Sequence, residues 1–189
     1  GDAQTGVTLI KIDELMDHGP IITQNKFSLL EKKWTSPELL DALASLGAEM
    51  LIDVLPKWTL GTITPTPQDD TRATYCKLIK KDHGRIPWSR PANEIERMIR
   101  AYTPWPSAWT LWAGRDAICR IRIDEAEVID EESPVGSPGY TWQTSDYPLL
   151  VKTGTGTLVV RRITIEGKNT LDADVFLRGN PQLLGATFV

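Results

Sequence analysis

Cysteine and histidine are scarce in this chain of 189 residues: Cys76 and Cys119 stand far apart, and His18 and His83 are the two imidazoles. Two distant thiols offer neither a disulfide framework nor metal-ligand spacing, so they read as plain buried thiols of a reducing compartment, and no metal is expected. Long apolar runs are missing as well. None approaches the roughly 20 residues that span a bilayer, and no secretory signal opens the sequence, so a membrane-embedded protein is excluded and a cytoplasmic one expected. No internal repeat is evident. Basic charge is in short supply overall, with a formal net charge of −4, but it is unevenly spread. Residues 1–74 hold 6 basic and 11 acidic side chains, whereas residues 75–189 hold 15 and 14, so affinity for a polyanion falls to the second half. There Lys77, Lys80, Lys81, Arg85, Arg90, Arg97 and Arg100 face only Asp82, Glu94 and Glu96, a local excess of +4. A local patch outweighs the total, because phosphate binding is set by charges within about a Debye length, roughly 10 Å.

Apolar runs at Val7–Ile12 and Ile21–Leu30 flank a loop bearing Gly19, which predicts two strands joined by a tight connection. Ser36-Pro37-Glu38 then reads as a helix start, with Ser36 as N-cap, proline in the first turn and an acid behind it. The helical period continues through Leu39, Leu40, Leu43 and Leu46. Gly47 suggests a break or a cap, and Met50, Leu51, Val54 and Leu55 carry the apolar face on to a stop at Pro56 and Gly61. Thr, Pro, Gln and Asp dominate the next stretch, so residues 63–72 are read as a linker between a first unit, 1–62, and a second, 73–189. In the second unit Ala92, Ile95 and Ile99 share one face of an amphipathic helix over Pro91–Tyr102. Everything after it reads as short strands, at Trp109–Trp112, Ala117–Ile123, Glu127–Ile129, Leu149–Lys152 and Thr157–Ile165. Turns at Gly114-Arg115-Asp116, Ser133–Gly139 and Gly154-Thr155-Gly156 separate them, and this punctuation suggests a small barrel of the oligonucleotide-binding type.

Few residues carry chemistry. Asp17, on the loop between the first two strands, reads by spacing alone as a turn residue whose carboxylate bonds its own backbone. Neither histidine has the partners of a metal site. Gly154-Thr155-Gly156 lies between strands and lacks the Lys and Ser/Thr of a nucleotide loop, so it is a hairpin turn. Pro104-Trp105-Pro106 with Trp109 and Trp112 offers either a base-stacking platform or a packed junction between helix and barrel; the packed junction is the simpler reading.

The strings Gly1-Asp2-Ala3-Gln4-Thr5-Gly6-Val7-Thr8, Met16-Asp17-His18-Gly19-Pro20-Ile21-Ile22, Ala73-Thr74-Tyr75, Gly84-Arg85-Ile86-Pro87-Trp88 and Ile99-Arg100-Ala101-Tyr102-Thr103-Pro104-Trp105-Pro106-Ser107-Ala108-Trp109, followed by Asp174-Val175-Phe176-Leu177-Arg178-Gly179, occur in one order. Together they resemble the methionyl-tRNA formyltransferase family over essentially the whole chain. The resemblance implies an α/β fragment, the end of a Rossmann-like formyltransferase domain, followed by a mostly β, oligonucleotide-binding-type barrel with one N-terminal helix. It implies transfer of a formyl group from 10-formyltetrahydrofolate to the amino group of initiator methionyl-tRNA, through a tetrahedral intermediate handled by an Asn, a His and an Asp. Only the Asp has a counterpart here, Asp17. The catalytic Asn and His of the family lie in an upstream Asn-x-His string that this chain lacks, and His18 stands where the family usually has threonine. By the same resemblance Asp13, Glu14, Leu15, Met16 and Asp17 line the pterin pocket, largely through backbone. Lys77, Lys80, Lys81, Arg85, Arg90, Arg97 and Arg100, with Arg161 and Arg162, become the tRNA contact surface.

The opening at Gly1 without Met, directly before a strand pattern, suggests a piece of something longer, inactive without its missing N-terminal half and monomeric when full length. Two other readings compete: a stand-alone RNA-binding module, with steep salt dependence and no need of folate, and a related formyltransferase acting on a sugar nucleotide or on folate. Residues 1–62, short of sheet partners, are expected to be less stable than the barrel.

Overall fold

The computed structural model describes residues 1–114, 117–130 and 136–189, which form two compact units, Gly1–Leu78 and Ile79–Val189. In the first, β1 (Gln4–Ile10) and β2 (Ile21–Ser28) form the expected antiparallel pair, with Gln4 opposite Ser28 and a register shift at Leu9/Ile10. One helix follows, α1 (Ser36–Thr59). Its N-cap is Thr35 rather than Ser36: the Glu38 carboxylate accepts from the Thr35 amide and hydroxyl, while Pro37 occupies the first turn, where no N–H partner is needed. The break expected at Gly47 does not occur. A helical glycine costs about 1 kcal/mol, and here its bare Cα faces Val7 of β1, so the helix runs on and packs against the strand. Pro56 likewise sits inside the helix, one turn before its end, and Gly61 follows at φ +68. Beyond it, Thr66 and Ile21 exchange both backbone hydrogen bonds at 2.8 Å, so this proline-rich segment lies along β2.

The second unit is built from α2 (Ala92–Ala101), β3 (Ala108–Ala113), β4 (Ile118–Ile129), β5 (Thr141–Trp142), β6 (Leu150–Lys152), β7 (Thr157–Ile165), β8 (Leu171–Asp172) and α3 (Ala173–Gly179). The sheet is antiparallel, in the order β3-β4-β7-β6-β5, with β8 on β7. It is mixed α/β, and no ladder among the described strands joins β3 to β5, so the expected barrel is not closed by its strands. Two strand segments predicted as separate are one: β4 continues from Ile118 to Ile129 with register shifts on either side of Glu125. A strand-only ending is also corrected, because α3 and a 3-10 turn at Pro181–Leu183 follow β8; a seven-residue helix starting behind Asp172 is too short for a periodic signal. The Gly154–Gly156 turn joins β6 to β7 as expected, and it docks on the start of α2, where Ala92 N donates to Thr155 O and Gly154 N to Arg90 O. A side chain at Gly154 would meet the Ser89 carbonyl at 1.8 Å, so glycine is required there. The predicted turn residues Arg115 and Asp116, and Ser133 to Val135 of the predicted loop, lie outside the described residues, and of the two thiols expected to be buried Cys76 is exposed and Cys119 half-buried.

The core of this unit follows the strand period except on β7, where the register slip beside Glu125 brings both Val160 and Ile163 inward. Ile121, Ile123, Leu158, Val160 and Ile163 are fully buried against Ile95 and Ile99 of α2 and against Phe176 and Leu183. The indole of Trp88 stacks on Phe188 at 5.5 Å and donates to Thr110 Oγ1 at 2.9 Å. The C-terminal segment serves both sheet edges: Val189 and Leu111 exchange backbone hydrogen bonds at one edge, and Thr141 bonds to Gly185 and Ala186 at the other.

Candidate active-site turn and basic cleft

In the first unit the β1–β2 connection places Asp17 at φ +54, the left-handed region that a non-glycine residue holds only when its surroundings fix it. Those surroundings are visible. Gln68 Nε2 donates to the carbonyl oxygens of Asp17 (2.8 Å) and Gly19 (2.7 Å), and Gly19 is pressed so close to the Lys11 carbonyl that a Cβ would lie 1.7 Å from it. Asp13 Oδ1 accepts from the Leu15 amide at 2.9 Å. Its other oxygen lies 2.7 Å from His18 Nδ1, while His18 Nε2 lies 3.4 Å from Asp70 Oδ1. The His18 bond holds the Asp13 carboxyl below its ordinary value, with the Leu15 amide assisting; reciprocally, Asp13 and then Asp70 raise His18. Asp13, Glu14, Leu15, Met16 and Asp17 are thus brought together on one exposed turn, with Asp17 free to face outward. Among the described residues the amides of Glu14 and Met16 have no hydrogen-bond partner, and Leu15 and Met16 leave apolar side chains in solvent. Open amides beside exposed apolar groups suit a flat heterocycle with polar edges.

The nine basic residues are divided between the two units. Lys77 belongs to the first unit and the other eight to the second. Arg161 and Arg162 are neighbours on β7 where its register with β4 slips beside Glu125: Arg161 pairs with Glu127 and lies over the Tyr147 ring, whereas Arg162 reaches Asp172 at 3.7 Å. Arg90 pairs with Glu94 and Arg100 with Glu96, each at 2.9 Å. Lys77, Lys80, Arg85 and Arg97 have no ion pair among the described residues. The Arg90–Glu94 and Arg162–Asp172 pairs lie at the surface, where a pair is worth about 0–1 kcal/mol, so those cations remain recruitable by a phosphate, whereas Glu96 holds Arg100 from a buried position. Arg85 and Arg90 line a hollow of about 320 Å³ with His83, Met98 and Tyr102.

A second concavity, of about 220 Å³, escaped the sequence reading. Lys81, Trp109, Arg120, Arg122, Glu166 and Lys168 line it on the outer face of β3, β4 and β7. The Arg120 guanidinium lies 4.2 Å over the Trp109 ring, whose Nε1 donates to the Lys81 carbonyl; Glu166 lies 3.5 Å from Arg120 and 4.0 Å from Lys81. Arg122 is held at 2.5 Å by Asp124. The signal was the Arg-x-Arg spacing, which on a strand puts both guanidinium groups on one face. Of the aromatic cluster, Trp109 and Trp112 are buried and Trp105 is exposed. Among the described residues no group of three His, Cys, Asp or Glu is placed to hold a metal, and no helix is long and apolar enough to cross a membrane.

A family profile described as "Formyl transferase, C-terminal domain" matches residues 78–181. The chain is 42% identical over 179 residues to the methionyl-tRNA formyltransferase of Roseiflexus sp. (strain RS-1), covering 95% of this chain and 53% of that protein. Among solved structures, HypX from Aquifex aeolicus in complex with tetrahydrofolic acid matches with a TM-score of 0.64 at 18% identity, over 93% of this chain and 30% of that one. The N-formyltransferase from Helicobacter canadensis, with folinic acid and dTDP-3-aminofucose, gives 0.62 at 19% identity, over 84% and 56%. At these identities the structural likeness speaks for the fold alone, and the chain spans about half the length of the curated relatives it matches.

Proposed function

This chain belongs to the formyl transferase family, whose C-terminal domain its residues 78–181 form, and from that premise we propose that it serves formyl transfer from 10-formyltetrahydrofolate to the amino group of initiator methionyl-tRNA. The observation that carries this reading is the 42% identity to a relative named methionyl-tRNA formyltransferase, which runs through both units. In this reading Asp17 is the carboxylate of the reacting centre. An amine attacking a formyl carbon must lose a proton while the carbonyl oxygen gains charge, and a fixed carboxylate orients an imidazole and stabilises its protonated form. That imidazole and the Asn come from upstream sequence outside these 189 residues, and the exposed turn Asp13–Asp17 receives the pterin through its open amides. The donor is a substrate, and no metal is required.

The second unit holds the tRNA. We read its sheet as an oligonucleotide-binding-type barrel, supported by the C-terminal segment that bonds to both edge strands. Lys80, Lys81, Arg85, Arg90, Arg97, Arg100, Arg161 and Arg162, with Lys77 from the first unit, are assigned to the phosphate backbone, joined by Arg120, Arg122 and Lys168 of the cleft. Such contacts position a nucleic acid without reading its sequence. The protein is assigned to the cytoplasm and to a monomeric state.

The test is binding of this chain to initiator methionyl-tRNA over a salt series, against an unrelated RNA hairpin and an amino-sugar nucleotide. Preferential tRNA binding, with log K falling by about 0.7–0.9 per log unit of salt for each phosphate contacted, is expected. Binding of the sugar nucleotide without the RNA would overturn the acceptor assignment.

A further inference from the structure

We propose that His18 is a positioning residue that, as an imidazolium, braces the Asp17 turn by joining Asp13 of that turn to Asp70 of the segment beside it. Its functional weight rests on the reading of Asp17 as the reactive carboxylate; the brace itself rests on geometry. The two ring nitrogens face two different carboxylates, Nδ1 at 2.7 Å from Asp13 Oδ2 and Nε2 at 3.4 Å from Asp70 Oδ1. An ionised carboxylate only accepts. A neutral ring therefore satisfies one partner and turns a lone pair on the other, whereas the protonated ring donates to Asp13 and holds Asp70 by its charge. Asp13, from its own turn, and Asp70, from the short helix Asp70–Arg72, are the charged groups that act on the ring, and both favour its charged form. Asp69, next in line, is otherwise engaged, its Oδ1 accepting from the Thr71 amide and hydroxyl at 3.1 and 2.6 Å.

The brace completes a set of ties. Gln68 already clamps the carbonyls of Asp17 and Gly19, so adding Asp70 makes the 68–70 segment a backing strip for the whole turn. His18 follows Asp17 directly. Pinning its ring at both nitrogens holds the peptide after Asp17 and, with it, the left-handed backbone that aims the carboxylate. The sign of the pH dependence follows from the raised imidazole value. The brace is fully formed below the ordinary imidazole pKa and loses one arm as pH rises through the raised value in the folded chain. Threonine at this position has one hydroxyl and no charge, so it bridges no carboxylate pair and confers no such dependence.

The experiment is an NMR titration of His18 in the whole chain, with the amide of Leu15 followed in parallel. The His18 midpoint is expected to fall in Asp70→Asn and further in Asp13→Asn, the larger effect belonging to the closer carboxylate. Protection of the Leu15 amide, corrected for intrinsic exchange, is expected to drop about twofold to tenfold as pH crosses the His18 midpoint, the span of one typical hydrogen bond. In His18→Thr it should stay flat. A His18 midpoint unchanged by both aspartate substitutions would overturn the brace. Should His18→Thr disturb the β1–β2 amides, the exposed Asp70→Asn chain decides alone. Neither readout uses folate, RNA or turnover, so the brace can fail while the formyl-transfer reading stands, and the reverse.

Discussion

The two units of this chain are held together by different means. Among the described residues before Ile79, Met50 and Val54 are the buried apolar side chains, while Leu40, Leu51, Ile52 and Leu55 of the same helix lie in solvent. In the second unit the strand and helix faces converge on one dense cluster in which Ile121, Leu158, Val160, Ile163 and Leu183 have no exposed surface. Regular hydrogen bonding is thus common to both, but burial is not. The lesson is that a hairpin and a well-capped helix can be locally specified while burying too little by themselves to be more than marginally stable.

One identical substitution in each unit tests this most strongly. Leu158→Ala is expected to cost about 2–5 kcal/mol through transfer and cavity terms, and Leu55→Ala, half exposed, within about 0.5 kcal/mol; urea unfolding of the two chains measures both, and equal costs would break the comparison. Limited proteolysis should likewise cut the first unit before the second. Next in size is Glu96→Gln. This carboxylate is buried on α2 and grips Arg100 at 2.9 and 3.1 Å, so neutralising it should cost about 1–3 kcal/mol in the same assay. In the first unit the N-cap carries a comparable share of a smaller total. Thr35→Ala is expected to lower its stability by about 1 kcal/mol, read from the helical signal of α1. The Thr35 amide, its hydroxyl and Lys32 hold Glu38 down to about 2. A depressed carboxylate stabilises above its unfolded value of about 4.5 and loses that contribution as pH falls towards 2, so acid should loosen α1 between those limits. The smallest change in stability belongs to Lys168→Ala on the cleft rim, within about 0.5 kcal/mol, although the salt slope of tRNA binding should fall by about 1.

Legibility in the sequence follows the same division. Two apolar runs flanking a glycine-bearing loop exposed the β1–β2 pair, and the 3.6 period of Ala92, Ile95 and Ile99 exposed α2, because both signals are local. Gly47 misled because its cost is set by a partner forty residues away, Val7, that fits its bare Cα. Short elements such as α3 and β8 exist through tertiary contacts with β7 and left no period to find. At the candidate sites, the Asp13–Asp17 turn was legible through its glycine and its resemblance, whereas Asp70 and Gln68 were not, lying some fifty residues on in a stretch whose composition read as linker. The cleft residues were missed for a related reason. Counting charges along the chain passed over Arg120 and Arg122, which a strand brings together.

The guanidinium of Arg120 over the indole of Trp109 also has an optical consequence. An indole buried against a cation, with its N–H committed to the Lys81 carbonyl, emits according to where that cation sits. Displacing Arg120 is expected to shift the emission of Trp109, and replacing the remaining tryptophans of the seven with phenylalanine would isolate that signal. The cleft carries its own fluorescent gauge.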